Sequence, residues 1–262
     1  MVGRGRGREH RAGCLGRGQA LVQGAIFPFR QGDLQLTADL LQESLDLYQE
    51  LGDEEGIARS TAELGGIAIA QGDLERAAEL YEAVVPLFRK QGHLGRMAAS
   101  VGNLGTIAHM QGEFATAVGY HGEAVELAKA SGDIDGAAVN LHNLARSELA
   151  LGRAGPGLEA LRESLAIARQ LGYREVIAYC FGGLAEVAMI EGDAERAATM
   201  LGASEHLFRE IGAVQSPDDA QTGERIAAYA VEQLGAERTA ELQGEGAALD
   251  IDELLEDVAS RT

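Results

Sequence analysis

Apolar and polar positions alternate along this chain in blocks of a fixed length. Glycine stands at 32, 52, 72, 92, 112, 132, 152, 172, 192 and 212, ten positions spaced 20 apart without a slip. Between them, apolar residues recur at three- and four-residue steps, the period of an amphipathic helix. Each 20-residue block therefore reads as one helix and its turn. Glycine suits the left-handed position that ends a helix, and a following Asp can cap the next one. Gly-Asp occupies five of the ten junctions, at 32–33, 52–53, 72–73, 132–133 and 192–193. Arg89, Lys129, Arg169 and Arg209 fall in the last helical turns, where the helix dipole favours positive charge. Helices of about 15 residues, roughly 22 Å long, are expected.

The true unit is a pair of blocks, 40 residues long. In first helices, Ala58, Ala98, Ala138 and Ala178 form one column and Leu64, Leu104, Leu144 and Leu184 another. The latter is followed by the small residues Gly65, Gly105, Ala145 and Ala185. Ile67, Ile107 and Val187, then Ala68, Ala108 and Ala188, complete the stripe, which Ser147 and Glu148 interrupt. Second helices carry Ala77, Ala117 and Ala197, then Leu41, Tyr81, Leu161 and Leu201. Large residues fill the space between helices, and small ones let a pair cross closely. A single pair cannot bury its apolar face alone, so neighbouring pairs must stack.

These motifs resemble the tetratricopeptide repeat. Leu64-Gly65, Ala68, Gly72, Ala77 and Tyr81 match that family's Leu-Gly, small, turn, Ala and aromatic positions. Leu104-Gly105, Ala108, Gly112 and Ala117 match it again. HEAT and armadillo units share the 40-residue length but not the Leu-Gly to Ala offset. The expected fold class is all-α, a right-handed superhelix of antiparallel helix pairs with C-terminal capping helices. Residues 1–30 form an atypical Gly/Arg-rich start, expected to be disordered or a partial first helix. Residues 31–212 hold the repeats, and residues 213–262 an acidic helical cap.

A finer resemblance concerns Gln71–Ala78 and Glu191–Ala198, Met200–Glu205 and Phe208–Ala213. These segments, with a helix ending near Leu234-Gly235 and a final acidic helix at 250–258, look like the C-terminal repeat region of large bacterial NTPase/LuxR-type signal-transducing transcriptional regulators. That resemblance implies a sensor or regulatory arm. No Gly-x-x-x-x-Gly-Lys-Ser/Thr phosphate loop is present, and after residue 213 three Arg face twelve acids. The NTPase and DNA-binding parts are thus missing, and the chain reads as a fragment of such a regulator or as a stand-alone repeat protein. Pro28 falls in the column of Ala68 and Ala108, where it would kink a helix. The run Gly3–Arg8 reads as a disordered or artefactual start, with an arginine-glycine arm for nucleic acid as the alternative.

Charge and composition narrow the function. Residues 1–30 hold six Arg and one acid, whereas the rest has 16 basic against 40 acidic side chains, a net of −24. So acidic a body repels phosphate backbones, and direct nucleic-acid binding by this region is not expected. Two cysteines cannot build a disulfide framework. With no membrane span or signal-peptide pattern in the sequence, the expected compartment is the cytoplasm.

No constellation points to catalysis, a cofactor or a metal, so the chain reads as non-enzymatic. His93, His109, His121, His142 and His206 are scattered, with no His-x3-His pair on one helix. Cys180, between Tyr179 and Phe181, reads as packing. Asp252-Glu253 and Glu256-Asp257 read as a solvated face, with partner binding as the alternative. In tetratricopeptide proteins the first helix of each pair lines a concave groove for a protein or peptide. Asn103 and Asn143, 40 apart, stand just before Leu104 and Leu144. The resemblance implies that Asn there bonds a bound peptide backbone, since an amide donates and accepts together. A bond to the neighbouring repeat is the equally weighted alternative. Further groove candidates are Thr106, His109, His142, Arg146, Arg59 and Glu186. Tyr81 and Tyr179 suit either anchoring or core packing. Two functions follow: a protein- or peptide-binding module, or a receptor for a small ligand or signal peptide.

Overall fold

A computed structural model describes the backbone of residues 3–249 and the side chains from residue 13 onward. The acidic helix expected at 250–258, with Asp252, Glu253, Glu256 and Asp257, lies outside the described residues. So do the side chains of the Gly3–Arg8 run.

The described residues form twelve helices: α1 (Gly3–Arg30), α2 (Leu34–Leu51), α3 (Glu54–Gln71), α4 (Leu74–Gln91), α5 (Leu94–Met110), α6 (Phe114–Ser131), α7 (Ile134–Ala150), α8 (Ala154–Leu171), α9 (Arg174–Glu191), α10 (Ala194–Ile211), α11 (Pro217–Leu234) and α12 (Ala236–Ala248). Helices α2 to α11 are 17 or 18 residues long, about three more than the spacing suggests. The junctions are the reason: from α1 to α10 only two or three residues separate one helix from the next. α1 continues through Pro28 into its last turn, so this proline does not break the helix.

All ten junction glycines are left-handed, with φ between 63° and 83°. A residue with a Cβ is strained there, whereas glycine is not. At Gly72 the reversal is closed by Gly72 N–H on the Ile69 carbonyl and Asp73 N–H on the Ala68 carbonyl. Asp33, Asp73, Asp133 and Asp193 then accept the N–H of Leu36, Arg76, Gly136 and Arg196, three residues on. Asp53 makes no such bond. One dipeptide thus ends one helix and, at four of these five junctions, caps the next.

The chain divides into two compact units, Met1–Met110 and Gln111–Thr262. In the first, each of α1 to α5 packs on its chain neighbour, and the odd helices also meet one another. Leu41, Ala58, Tyr81, Val84, Phe88 and Ala98 are buried. In the second unit, α6 to α10 stack in the same manner around Leu161, Phe181, Leu184, Leu201 and Leu207. Ser147 and Glu148, which interrupt the apolar stripe, are buried nonetheless. Ser147 donates to the Asn143 carbonyl, and Glu148 pairs with Arg153.

Buried serines tie the two helices of a pair together. Ser44, Ser164 and Ser204 donate to the carbonyls of Gly18, Ala138 and Ala178, each 26 residues back, at 2.8–2.9 Å. Cys180 is fully buried and donates to the Ser164 hydroxyl, and burial pushes its thiol up to about 12. It packs, as its apolar neighbours suggest.

The end of the second unit departs from the regular stack. α12 packs chiefly against α10, where Gly202 and Gly246 bring the backbones together. A Cβ on Gly246 would run into the Thr199 carbonyl, and one on Gly202 into the backbone of Gln243. The link from α10 to α11, residues 213–216, is longer than the other turns and has no regular structure.

Candidate functional site

The polar residues of the odd helices line two cavities, one in each unit, each of about 280 Å³. The spacing places them. Arg96, Ser100 and Asn103 share one face of α5, as Arg59, Glu63 and Gly66 share one face of α3. Val139, His142, Asn143 and Arg146 do the same on α7.

In the first unit the cavity runs between α3 and α5, with Tyr81 and Phe88 of α4 at its base. Arg59 donates to the Tyr48 hydroxyl at 2.6 Å and lies 5.6 Å over that ring. Arg96 lies 6.0 Å over the Phe88 ring and 3.7 Å from Glu55. Both guanidinium groups lie on aromatic faces at the cavity wall. The Asn103 side chain hydrogen-bonds the Tyr81 hydroxyl. Burial, together with the nearby Glu63 carboxylate, raises that hydroxyl to about 12, against the pull of the Asn103 bond. Asn103 thus bonds the preceding helix and faces the cavity at once. Thr106 donates to the Gly102 carbonyl of its own helix, and neither it nor His109 lines this cavity.

In the second unit the cavity lies between α7 and α9, walled by Val139, Val176, Tyr173 and Tyr179. His142 is buried and stacks at a tilt on Tyr179, 5.2 Å between centroids. Burial, with Arg146 beside it, drives its pKa down to about 3, so the ring is neutral. Its Nδ1 has no hydrogen-bond partner. Asn143 lines the same cavity.

Arg146 and Glu186 are already engaged by α11. The Arg146 guanidinium lies 3.2 Å from Asp219 and 3.7 Å from Asp218. Glu186, only 9% exposed, accepts from Arg225 at 2.6 Å. Burial raises the Glu186 pKa, and Arg225 opposes that shift. Ser216 and Asp219 complete the cavity wall, and the Ser216 backbone hydrogen-bonds the Tyr179 hydroxyl.

Of the eight residues singled out from the sequence, five line the two cavities. Arg59 and Asn103 meet in the first cavity; His142, Asn143 and Arg146 meet in the second. Glu186 lies beside α11, Thr106 bonds within α5, and His109 sits half-buried in the last turn of α5. Tyr81 is buried, whereas Tyr179 is both core-facing and cavity-lining. The sequence reading passed over Arg96, Tyr173, Ser216 and Asp219. Arg96 is seven residues before Asn103, two helical turns along the same face, and that spacing could have found it. Among the described residues, no group of three His, Cys, Asp or Glu side chains is placed to hold a metal ion. Nor is any described helix long and apolar enough to cross a membrane.

A tetratricopeptide repeat family model matches residues 18–90 and 96–170, more than half of the chain. The chain belongs to the tetratricopeptide repeat family. No curated protein sequence matches it significantly. Solved structures share its fold. The apo form of RapI superposes with a TM-score of 0.67 at 15% identity, over 95% of this chain and 86% of that one. BtubC (BKLC) from P. vanneervenii gives 0.63 at 18% identity, over 79% and 92%. A Rap protein complexed with competence and sporulation factor gives 0.60 at 13%, over 92% and 74%. Within the tetratricopeptide frame, α3, α5, α7 and α9 are the first helices of their pairs, and both cavities open on them. The matched segments end at residue 170, yet the 40-residue beat continues through α9 and α10.

Proposed function

We propose that this chain is a non-enzymatic tetratricopeptide scaffold that binds protein or peptide segments on the faces of its first helices. One observation carries the reading. Two core columns keep one residue every 40 positions, Ala58, Ala98, Ala138 and Ala178, and Leu64, Leu104, Leu144 and Leu184, whereas the column Arg59, Ala99, Val139 and Tyr179, every member of which lines a cavity, changes it. Core packing demands the same shape in each repeat. A face that varies from repeat to repeat can match an irregular partner. Each cavity combines apolar walls with a few polar groups, the usual makeup of a recognition pocket. Asn103 keeps cavity exposure while bonding Tyr81, so its amide has capacity for a peptide group.

The resemblance of Met200–Ala213 to bacterial regulators supports the finer reading, a cytoplasmic sensor or regulatory arm of a signal-transducing transcriptional regulator. Panning the full chain against a random peptide library tests the scaffold reading. Selected peptides should lose about tenfold or more in affinity for an Asn103→Ala, Asn143→Ala double variant. Unchanged affinity, or no selected peptides, contradicts it.

A second reading, a receptor for a small ligand or signal peptide, draws support from the cavity size of about 280 Å³. A neighbour in fold is known in complex with competence and sporulation factor. A thermal-shift screen separates the two readings, since a discrete small molecule that stabilises the chain favours the receptor.

A further inference from the structure

α11 meets α10 and α9, as α9 meets α8 and α7, but its first turn reaches further. In a regular array each repeat touches only its neighbours. Yet Asp218 and Asp219, in the first turn of α11, reach Arg146 on α7, past the intervening pair α9 and α10. The longer link at 213–216 permits this departure. α11 is also unevenly anchored. Its buried residues are Ile226 and Ala230, both in its C-terminal half. The first turns are held by polar contacts: Asp218 and Asp219 on Arg146, the Ser216 backbone on the Tyr179 hydroxyl, and Arg225 on Glu186. These ion pairs are part-buried, with Arg146 and Asp219 at 21% and 19% exposure and Asp218 and Arg225 at 53% and 60%, so opening leaves Arg146 in need of a replacement carboxylate. A segment held so can leave while its apolar half stays docked.

What it covers is a built pocket. Val139, Val176, Tyr179 and the buried His142 line it together with Ser216 and Asp219, and the His142 Nδ1 has no hydrogen-bond partner. Arg146 is the cationic group on that wall, and two carboxylates of the same chain now match it.

We propose that the first turn of α11, Ser216–Asp219, is an intramolecular plug of the α7–α9 face, displaced by a peptide whose carboxylate takes Arg146 and whose neighbouring side chain enters the pocket. This inference rests on the peptide-binding reading of that face. The plug's own chemistry, an acidic pair following Ser-Pro, is the template for the ligand class. Apparent affinity falls by the fraction of molecules that are open, so removing the plug tightens binding.

The probe is a labelled synthetic peptide of residues 213–222, offered in trans to the full-length chain. It should bind Asp218→Asn, Asp219→Asn at least about tenfold more tightly than the wild type. Adding Arg146→Gln to that double variant should abolish the gain. Hydrogen exchange gives a second readout: Arg146→Gln alone should speed exchange of the amides at 218–222 by about tenfold and leave 227–234 protected. Equal affinity for wild type and double variant, tighter binding to the wild type, or no binding to any form overturns the plug. So does unchanged exchange in Arg146→Gln. Library peptides selected on the wild type still report on the scaffold reading, so the plug can fail while the scaffold stands.

Discussion

The ring of Tyr81 lies against the α-carbon of Gly65, so that a Cβ there would come within 2.9 Å of the ring. These two residues are 16 apart in sequence, one on α3 and the other on α4. The glycine is required for close approach, because the aromatic ring takes the room its side chain would need. Gly65→Ala overpacks a buried contact and should cost about 1–3 kcal/mol. Urea unfolding checks this, and Tyr81→Leu in the same chain should recover part of the loss. Full stability in Gly65→Ala would show that the ring is free to move aside.

Tyr81 has a second partner in Asn103. If that bond holds the helices together, Asn103→Ala and Tyr81→Phe should each destabilise by about 1 kcal/mol, and the double variant by less than their sum. If Asn103 also serves a ligand, Asn103→Ala weakens peptide binding by more than Tyr81→Phe does. Equal losses of peptide affinity would reduce Asn103 to a structural residue.

His142 makes stability pH-dependent in one direction. Its folded pKa, about 3, lies below its ordinary value of 6.5, so the unfolded chain binds the proton first. Its contribution is present in full above about pH 6.5 and is lost as pH falls toward 3. Between pH 6.5 and 3 the slope from this group approaches about 1.4 kcal/mol per pH unit. Unfolding measured at pH 7 and pH 5 should show a smaller drop in His142→Phe than in the wild type. An equal drop would mean that the ring titrates alike in the folded and the unfolded chain, and so is solvated in both.

The sequence exposed the repeat because turn and core are periodic. A glycine with φ near 70° and a buried alanine such as Ala58 or Ala138 recur where the same geometry recurs. The candidate faces were legible for the same reason: Asn103 and Asn143 hold equivalent places on α5 and α7, and both line cavities. The role of Arg146 was not. Its partners Asp218 and Asp219 follow after more than 70 residues, beyond the last junction glycine, on a helix that has left the 20-residue beat. No spacing rule connects them. Glu186 was named as a groove candidate, but its pairing with Arg225 of α11 was hidden likewise. Arg96 was within reach, but its stacking on Phe88 hides it among ordinary surface arginines.

Partner binding on the first helices of the pairs is open to one direct test, hydrogen-exchange mass spectrometry of the full chain with and without a saturating library-selected peptide. Added protection is expected at 96–103 on α5 or at 139–146 and 173–179 on α7 and α9, with α4, α6 and α8 unchanged. Protection confined to the second helices α4, α6 and α8 would contradict it.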